Sequence, residues 1–219
     1  MDKVFIFDFD GTFYSGDEMF SKLPTYIARH RRDFLPNLSD EEYKQVVKEN
    51  PDWKKVINGC DIVDMMYDFK KKYPEFEISV KDFWDWQNEK PDPIVIDKTK
   101  VVDADFIEQI CEDYPVYVVS NSSPTHIKFY MKKLDIEPEW FDDIVSNRFT
   151  QKDRTKKHYY ERILEKENVE PHNVYVFGDS VKSDLVPAKE LGMNVHHVKN
   201  AASIKRMVKR VLNKEKGKQ

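Results

Sequence analysis

The stretch Val4-Phe5-Ile6-Phe7-Asp8-Phe9-Asp10-Gly11-Thr12 decides the fold. It opens with four consecutive apolar residues and no polar alternation. Such a run suits a strand buried on both faces, as in a parallel sheet covered by helices. Two acids and an Asp-Gly turn close it. Downstream, Pro115–Ser120 (PVYVVS), Val174–Gly178 (VYVFG) and Asn194–Val198 (NVHHV) have the same character, and Asp143–Ser146 is a weaker member of the set. Helical patterns lie between them. Asp103–Cys111 carries Phe106, Ile107 and Ile110, and Pro124–Leu134 carries Ile127, Tyr130, Met131 and Leu134. Lys156–Lys166 carries Tyr159, Tyr160, Ile163 and Leu164, and Leu185–Leu191 is shorter. Alternation of strand and helix predicts an α/β domain with a mainly parallel sheet.

The region from about Ser15 to Thr99 breaks this alternation and reads as nearly all helix. Asp17–Arg31 places Phe20, Leu23, Ile27 and His30 at helical spacing. Ser39 followed by Glu42 is a capping box. Further helices are predicted over Asp52–Asn58, over Asp61–Tyr73 and after Ser79, before Pro91 and Pro93 return the chain to the sheet. The expected organisation is therefore a core of residues 1–15 and 100–219 with a helical insertion over 16–99. Trp53, Trp84 and Trp86 are assigned to packing that insertion.

Composition excludes several classes. The chain has 219 residues, 35% charged and 40% hydrophobic, with 13% aromatics, which argues against a disordered chain. No run approaches the roughly 20 apolar residues of a membrane span. Two cysteines, Cys60 and Cys111, fit a reducing compartment and read as inert thiols, so a cytoplasmic protein is expected. Net charge is −4. Lys205–Gln219 holds seven basic residues and one acid, but Ile204, Met207, Val208, Val211 and Leu212 recur at helical spacing. That tail reads as a closing amphipathic helix, with no nucleic-acid or membrane partner expected.

Sites in open α/β sheets form at the carboxyl ends of strands. Three sets fall there: Asp8 to Thr12, then Ser120-Asn121-Ser122, then Gly178-Asp179-Ser180 with Asp184 beyond. Convergence would gather several carboxylates, which repel one another and titrate upward. A hard divalent cation relieves that conflict, and Mg²⁺ binds through few carboxylates plus waters and phosphate. Gly11, in a chain with only six glycines, supplies the turn and lets backbone N–H groups approach an anion.

DFDGT at 8–12, VYVVSN ending at Ser120-Asn121, and FGDSVKSD with Asp179 and Asp184 resemble three motifs of the haloacid dehalogenase superfamily. The resemblance spans the sheet domain. It implies a Rossmann-like doubly wound parallel sheet, with the 16–99 insertion as an all-helical cap. It also implies a phosphatase: Asp8 as nucleophile forming an aspartyl phosphate, and Asp10 as general acid and then base. Mg²⁺ would be held by Asp8, the Asp10 main-chain carbonyl and Asp179. Ser120, with Gly11, Thr12 and Asn121, would hold the phosphoryl oxygens, and Asp184 would orient the metal's waters or a lysine. The family also needs a cation before its last motif. Lys156 fits that spacing best, Lys152 is the next candidate, and Arg154 sits where members with Lys-Pro-x-Pro carry theirs.

The expected activity is Mg²⁺-dependent hydrolysis of a small phosphorylated metabolite, by a monomer or homodimer. A phosphomutase of the same fold is the alternative within the enzyme class, and a non-catalytic binding protein the alternative outside it. His126, His158, His172, His196 and His197 lack ligand spacing and read as structural or surface residues. Tyr14 to Asp17 reads as a flexible flap, hinged at Gly16, between core and cap. Between Phe13 and Val102 there are 15 basic and 18 acidic residues, so the insertion offers no anion funnel.

Overall fold

The computed structural model describes residues 3–15, 39–49, 71, 96–122, 124–146 and 156–216. The chain divides into two compact units, Met1–Gly16 with Val95–Gln219, and Asp17–Ile94.

The first unit is built on five strands: β1 (Val4–Phe7), β2 (Val116–Ser120), β3 (Asp143–Ser146), β4 (Val174–Gly178) and β5 (Asn194–His197). All pairings are parallel, in the order β3-β2-β1-β4-β5. The unbroken apolar run thus occupies the central strand, where both faces and both edges are covered. All four residues of β1 are fully buried. Alternate residues feed two separate cores. Val4, Ile6, Tyr117, Val119, Val174 and Val176 pack with Tyr160, Ile163, Ala188 and Met193. The odd-numbered aromatics of β1 and β4 stack: Phe5 on Tyr175 at 5.7 Å, and Phe7 on Phe177 at 5.0 Å.

The helices of this unit are α2 (Ala104–Asp113), α3 (Pro124–Lys133), α4 (Lys157–Glu167), α5 (Val186–Glu190) and α6 (Ile204–Lys216), numbered after α1 (Asp40–Glu49) of the second unit. Asp103 caps α2 by accepting from the Phe106 N–H at 3.0 Å, and it also receives Lys205 at 2.7 Å, tying α6 to α2. Asn168, at φ 49°, ends α4 in the left-handed region, a conformation Asn tolerates. The closing helix is amphipathic, with Ile204, Val208 and Val211 buried. The predicted capping box is present: Glu42 accepts from the Ser39 N–H at 2.8 Å, and Ser39 Oγ accepts from the Glu42 N–H at 3.3 Å. The other helices expected in 16–99, and the three tryptophans there, lie outside the described residues. So do Cys60, Gly16 and Asp17.

Element boundaries differ from the expected ones by one or two residues, with one larger change. The predicted helix over Leu185–Leu191 is preceded by a wide, π-type turn over Val181–Leu185, and only Val186–Glu190 is α-helical. Tyr14 also departs from expectation. It is buried, pairs with Val101 across an antiparallel bridge and stacks on Tyr130 at 5.2 Å, so its place is in the core rather than in a flap. A large aromatic ring gains more from burial than a loop gains from freedom. No helix among the described residues is long and apolar enough to cross a membrane.

Candidate active site

The strand order reverses direction at β1, because β2 lies on one side of it and β4 on the other. A crevice opens outside the carboxyl ends of two such strands. Asp8 directly follows β1 and Asp179 directly follows β4. Backbone pairing carries Asp8 one step beyond the strand, since its N–H donates to the Phe177 carbonyl at 2.8 Å. The chain then makes a single helical turn. The Thr12 and Phe13 N–H groups both donate to the Phe9 carbonyl, at 3.2 and 2.8 Å, while the buried rings of Phe9 and Phe13 anchor the turn from below.

Gly11 stands in that turn at φ 79°, where an L side chain is strained. A Cβ there would also lie 2.6 Å from the Asp179 carboxyl carbon. Gly178 is approached in the same way by Asp184, whose carboxyl carbon would lie 2.7 Å from an added Cβ. These two glycines therefore mark where carboxylates press against backbone. Gly178→Ala is expected to displace Asp184 and lower stability by about 1–3 kcal/mol, the cost of overpacking. Thermal denaturation checks this, and an unchanged melting temperature would show that the loop yields freely.

Asp8, Asp179 and Asp184 form an acidic group, each offering an oxygen within 4.8 Å of the others. Among the described residues, one cation enters it. Lys156, 1% exposed, places Nζ 2.6 Å from Asp8 Oδ1 and 2.7 Å from Asp184 Oδ1. It occupies the N-cap position of α4 rather than its first turn. The remaining Asp8 oxygen, Oδ2, accepts from Thr12 Oγ1 at 3.0 Å. Asp184 Oδ2 accepts from the Ser180 N–H at 2.9 Å, which closes the π-type turn onto the site.

Crowding of these charges shifts the titration of Asp8, Asp179 and Lys156. Burial pushes Asp8 well above its ordinary value, with Lys156 opposing and Asp184 and Asp179 reinforcing the rise. Burial and then the Asp184 charge push Asp179 up to about 7. Burial alone would lower Lys156, but the charges of Asp184 and Asp8 outweigh it and hold the ammonium above its usual range. The excess negative charge and all-oxygen donors suit a hard divalent cation of the Mg²⁺ type.

Asp10 is not in that acidic group. Tyr14 OH and Ser122 Oγ both donate to its carboxylate, and His126 Nε2 lies 2.8 Å from its Oδ1. Burial opposes its ionisation, but the His126 charge and the bonds from His126, Ser122 and Tyr14 together hold it at about 2. His126, read from the sequence as structural or surface, is 4% exposed and sits against this acid. A single histidine in a helix gives no sequence signal for such a contact, because only tertiary packing aims α3 at the turn after β1.

Ser120 is buried at the end of β2, its Oγ accepting from the Ser122 N–H at 3.1 Å, and Asn121 follows half-buried. Lys152 and Arg154 lie outside the described residues. His197 Nε2 is 2.9 Å from the Asp179 carbonyl, a second histidine beside the site. Cys111 is half-buried in α2, and burial pushes its thiol up to about 12, so it stays protonated at neutral pH.

Comparison with known proteins bears on the fold and the family. No curated protein matches the sequence. Among solved structures, a haloacid dehalogenase-like family hydrolase from Xanthomonas campestris is 16% identical with a TM-score of 0.55, covering 100% of this chain and 95% of that one. The putative HAD-hydrolase YfnB of Bacillus subtilis, bound to magnesium, is 15% identical with a TM-score of 0.57, covering 97% and 99%. A predicted phosphoglycolate phosphatase from Haemophilus somnus is 17% identical with a TM-score of 0.54, covering 89% and 84%. At such identities these likenesses speak for the fold. The family model for haloacid dehalogenase-like hydrolases matches residues 3–192, and the chain belongs to that family.

Proposed function

We propose that this protein is a Mg²⁺-dependent phosphomonoester hydrolase that works through an aspartyl phosphate on Asp8. The observation that carries this reading is the clamp of Lys156 on Asp8 and Asp184 beside Asp179. It holds a carboxylate ready to attack within a group that has more negative charge than Lys156 balances.

In the first step an Asp8 oxygen forms a bond to phosphorus as the ester P–O bond breaks, and the leaving oxygen takes a proton from Asp10. In the second, Asp10 takes a proton from water, the water oxygen bonds to phosphorus, and the Asp8–phosphorus bond breaks to release phosphate. An arriving phosphate brings negative charge near Asp10. A like charge raises a carboxyl's pKa, the direction that the acid step needs. Asp8, the Asp10 main-chain carbonyl and Asp179 would hold Mg²⁺. When bound, it supplies charge neutralisation that lets one anion attack another. Lys156 holds Asp8 in place and adds positive charge, and Asp184 orients Lys156. Ser120, Gly11, Thr12 and Asn121 would surround the phosphoryl oxygens.

Residues 16–99 would serve as a cap that excludes water and selects the leaving group. The substrate class is a small phosphorylated metabolite such as a nucleotide or sugar phosphate. The test is phosphate release from 4-nitrophenyl phosphate and from a panel of nucleotides, sugar phosphates and phospho-amino acids. Mg²⁺-dependent release that EDTA abolishes is the expected result. Isomerisation of a sugar phosphate without net phosphate would replace hydrolase by mutase. Full activity in EDTA would overturn the metal-dependent reading.

A further inference from the structure

We propose that His126 is a positioning residue for Asp10, the keystone of a three-donor cradle that it forms with Tyr14 and Ser122. The proposal rests on the assignment of Asp10 as the acid and base of the reaction.

The cradle draws on separate parts of the chain. Tyr14 comes from the turn after β1, Ser122 from the loop after β2 and His126 from α3. Tyr14 and His126 meet the same oxygen of Asp10, and Ser122 meets the other, so both oxygens are held. An imidazole nitrogen that faces a carboxylate oxygen at 2.8 Å must carry its hydrogen, which fixes His126 as a donor at Nε2.

Each donor is itself braced. Tyr14 stacks on Tyr130 at 5.2 Å with planes 12° apart, and the His126 ring lies 4.6 Å from the same Tyr130 ring. The Ser122 carbonyl accepts from Ser146 Oγ at 2.6 Å, anchoring that loop to the end of β3. Aromatic packing thus locks Tyr14 and His126, the bond from Ser146 locks Ser122, and the three donors lock the plane of the carboxylate. An Asp side chain with two free torsions would otherwise sample several rotamers. Proton transfer demands reach of about 3 Å to the reacting oxygen, and a misplacement of about 1 Å can cost about 10²-fold. His126 acts here through the Asp10 carboxylate, as a donor to its Oδ1.

A positioning role predicts a change in leaving-group dependence as well as a loss of rate. Phenoxide needs protonation more than 4-nitrophenoxide, which is a stable anion. The two phosphates are close in shape, so loose packing would slow both alike. The measurement is kcat/KM, which reports steps up to departure of the leaving group, for phenyl and 4-nitrophenyl phosphate.

His126→Phe is expected to raise the ratio of the nitrophenyl to the phenyl value by about tenfold or more, within the roughly 10²–10⁴-fold scope of general acid catalysis. His126→Gln, which keeps an N–H donor on a side chain of similar reach, is expected to recover most of the difference. Should His126→Phe not fold, Ser122→Ala carries the same test, with the ratio moving in the same direction. Equal losses on both substrates, or an unchanged ratio, would overturn the proposal. Asp10→Asn separates the two levels. If it raises the ratio and the His126 and Ser122 variants do not, the cradle is refuted and Asp10 keeps its role. If Asp10→Asn leaves the ratio unmoved, the assignment of Asp10 itself is refuted.

Discussion

Asp8→Asn abolishes phosphate release, with an expected loss of about 10⁴-fold or more. An amide has nearly the shape of the carboxylate but no anionic oxygen to attack phosphorus. The steric environment of Asp8 is unchanged by the substitution, so the loss separates chemistry from folding. Stability is expected to hold or to rise slightly. Burial already pushes the Asp8 carboxyl well above its ordinary range, and Asp184 and Asp179 reinforce the push. A neutral amide relieves that repulsion, while it gives up the charge that Lys156 meets at 2.6 Å. Steady-state turnover of 4-nitrophenyl phosphate and a thermal melt give both readings. Residual activity near wild type would sink the aspartyl-phosphate mechanism.

Lys156→Met is expected to remove activity and also to lower stability, by about 3–5 kcal/mol at pH 8. The methionine fills much the same volume, so the cost is electrostatic. It leaves the acidic group of Asp8, Asp179 and Asp184 without the ammonium that meets Asp8 and Asp184. The pH dependence has a definite sign. Asp8 and Asp179 have folded-state values raised above 3.8, Asp179 to about 7. A raised carboxyl favours folding below its unfolded value, and that contribution is lost as pH rises through the folded value. The destabilisation of Lys156→Met therefore shrinks as pH falls from 8 towards 5, where these carboxyls take up protons. Melts at the two pH values test this. Added Mg²⁺ is expected to restore part of the lost stability at pH 8, by balancing the same charges. A melting temperature equal to wild type at both pH values would show that Lys156 is not holding the acids together.

The fold was legible because its signals are local. Val4–Phe7 and Val174–Gly178 read as buried strands from unbroken apolar runs alone, and both have those bounds in the structure. Asp8 and Asp179 were legible for the same reason, since a residue that follows a buried parallel strand has one place to go. Other features were not local. The π-type turn over Val181–Leu185 exists so that Asp184 can reach back to the Ser180 N–H, a demand no periodicity records. Tyr14 looked like the start of a linker, yet its ring is held by Tyr130, more than a hundred residues away. Among the candidate cations, spacing ranked Lys156 first but left Lys152 and Arg154 in contention. The contacts of Lys156 with two acids are what give it a place in the site.

The scarcity of glycine takes on a more specific meaning in three dimensions. Gly11 and Gly178 stand where the carboxylates of Asp179 and Asp184 lie against the backbone, which sequence position alone hinted at. What the sequence by itself determined is the set of strands, the acids at their ends and the family they belong to. Apolar runs and strand-end residues depend on neighbours in the chain. What only the tertiary structure decided is which groups face Asp10, and that His126 is among them. Hydrogen bonds between a helix, a loop and a turn depend on how the elements pack.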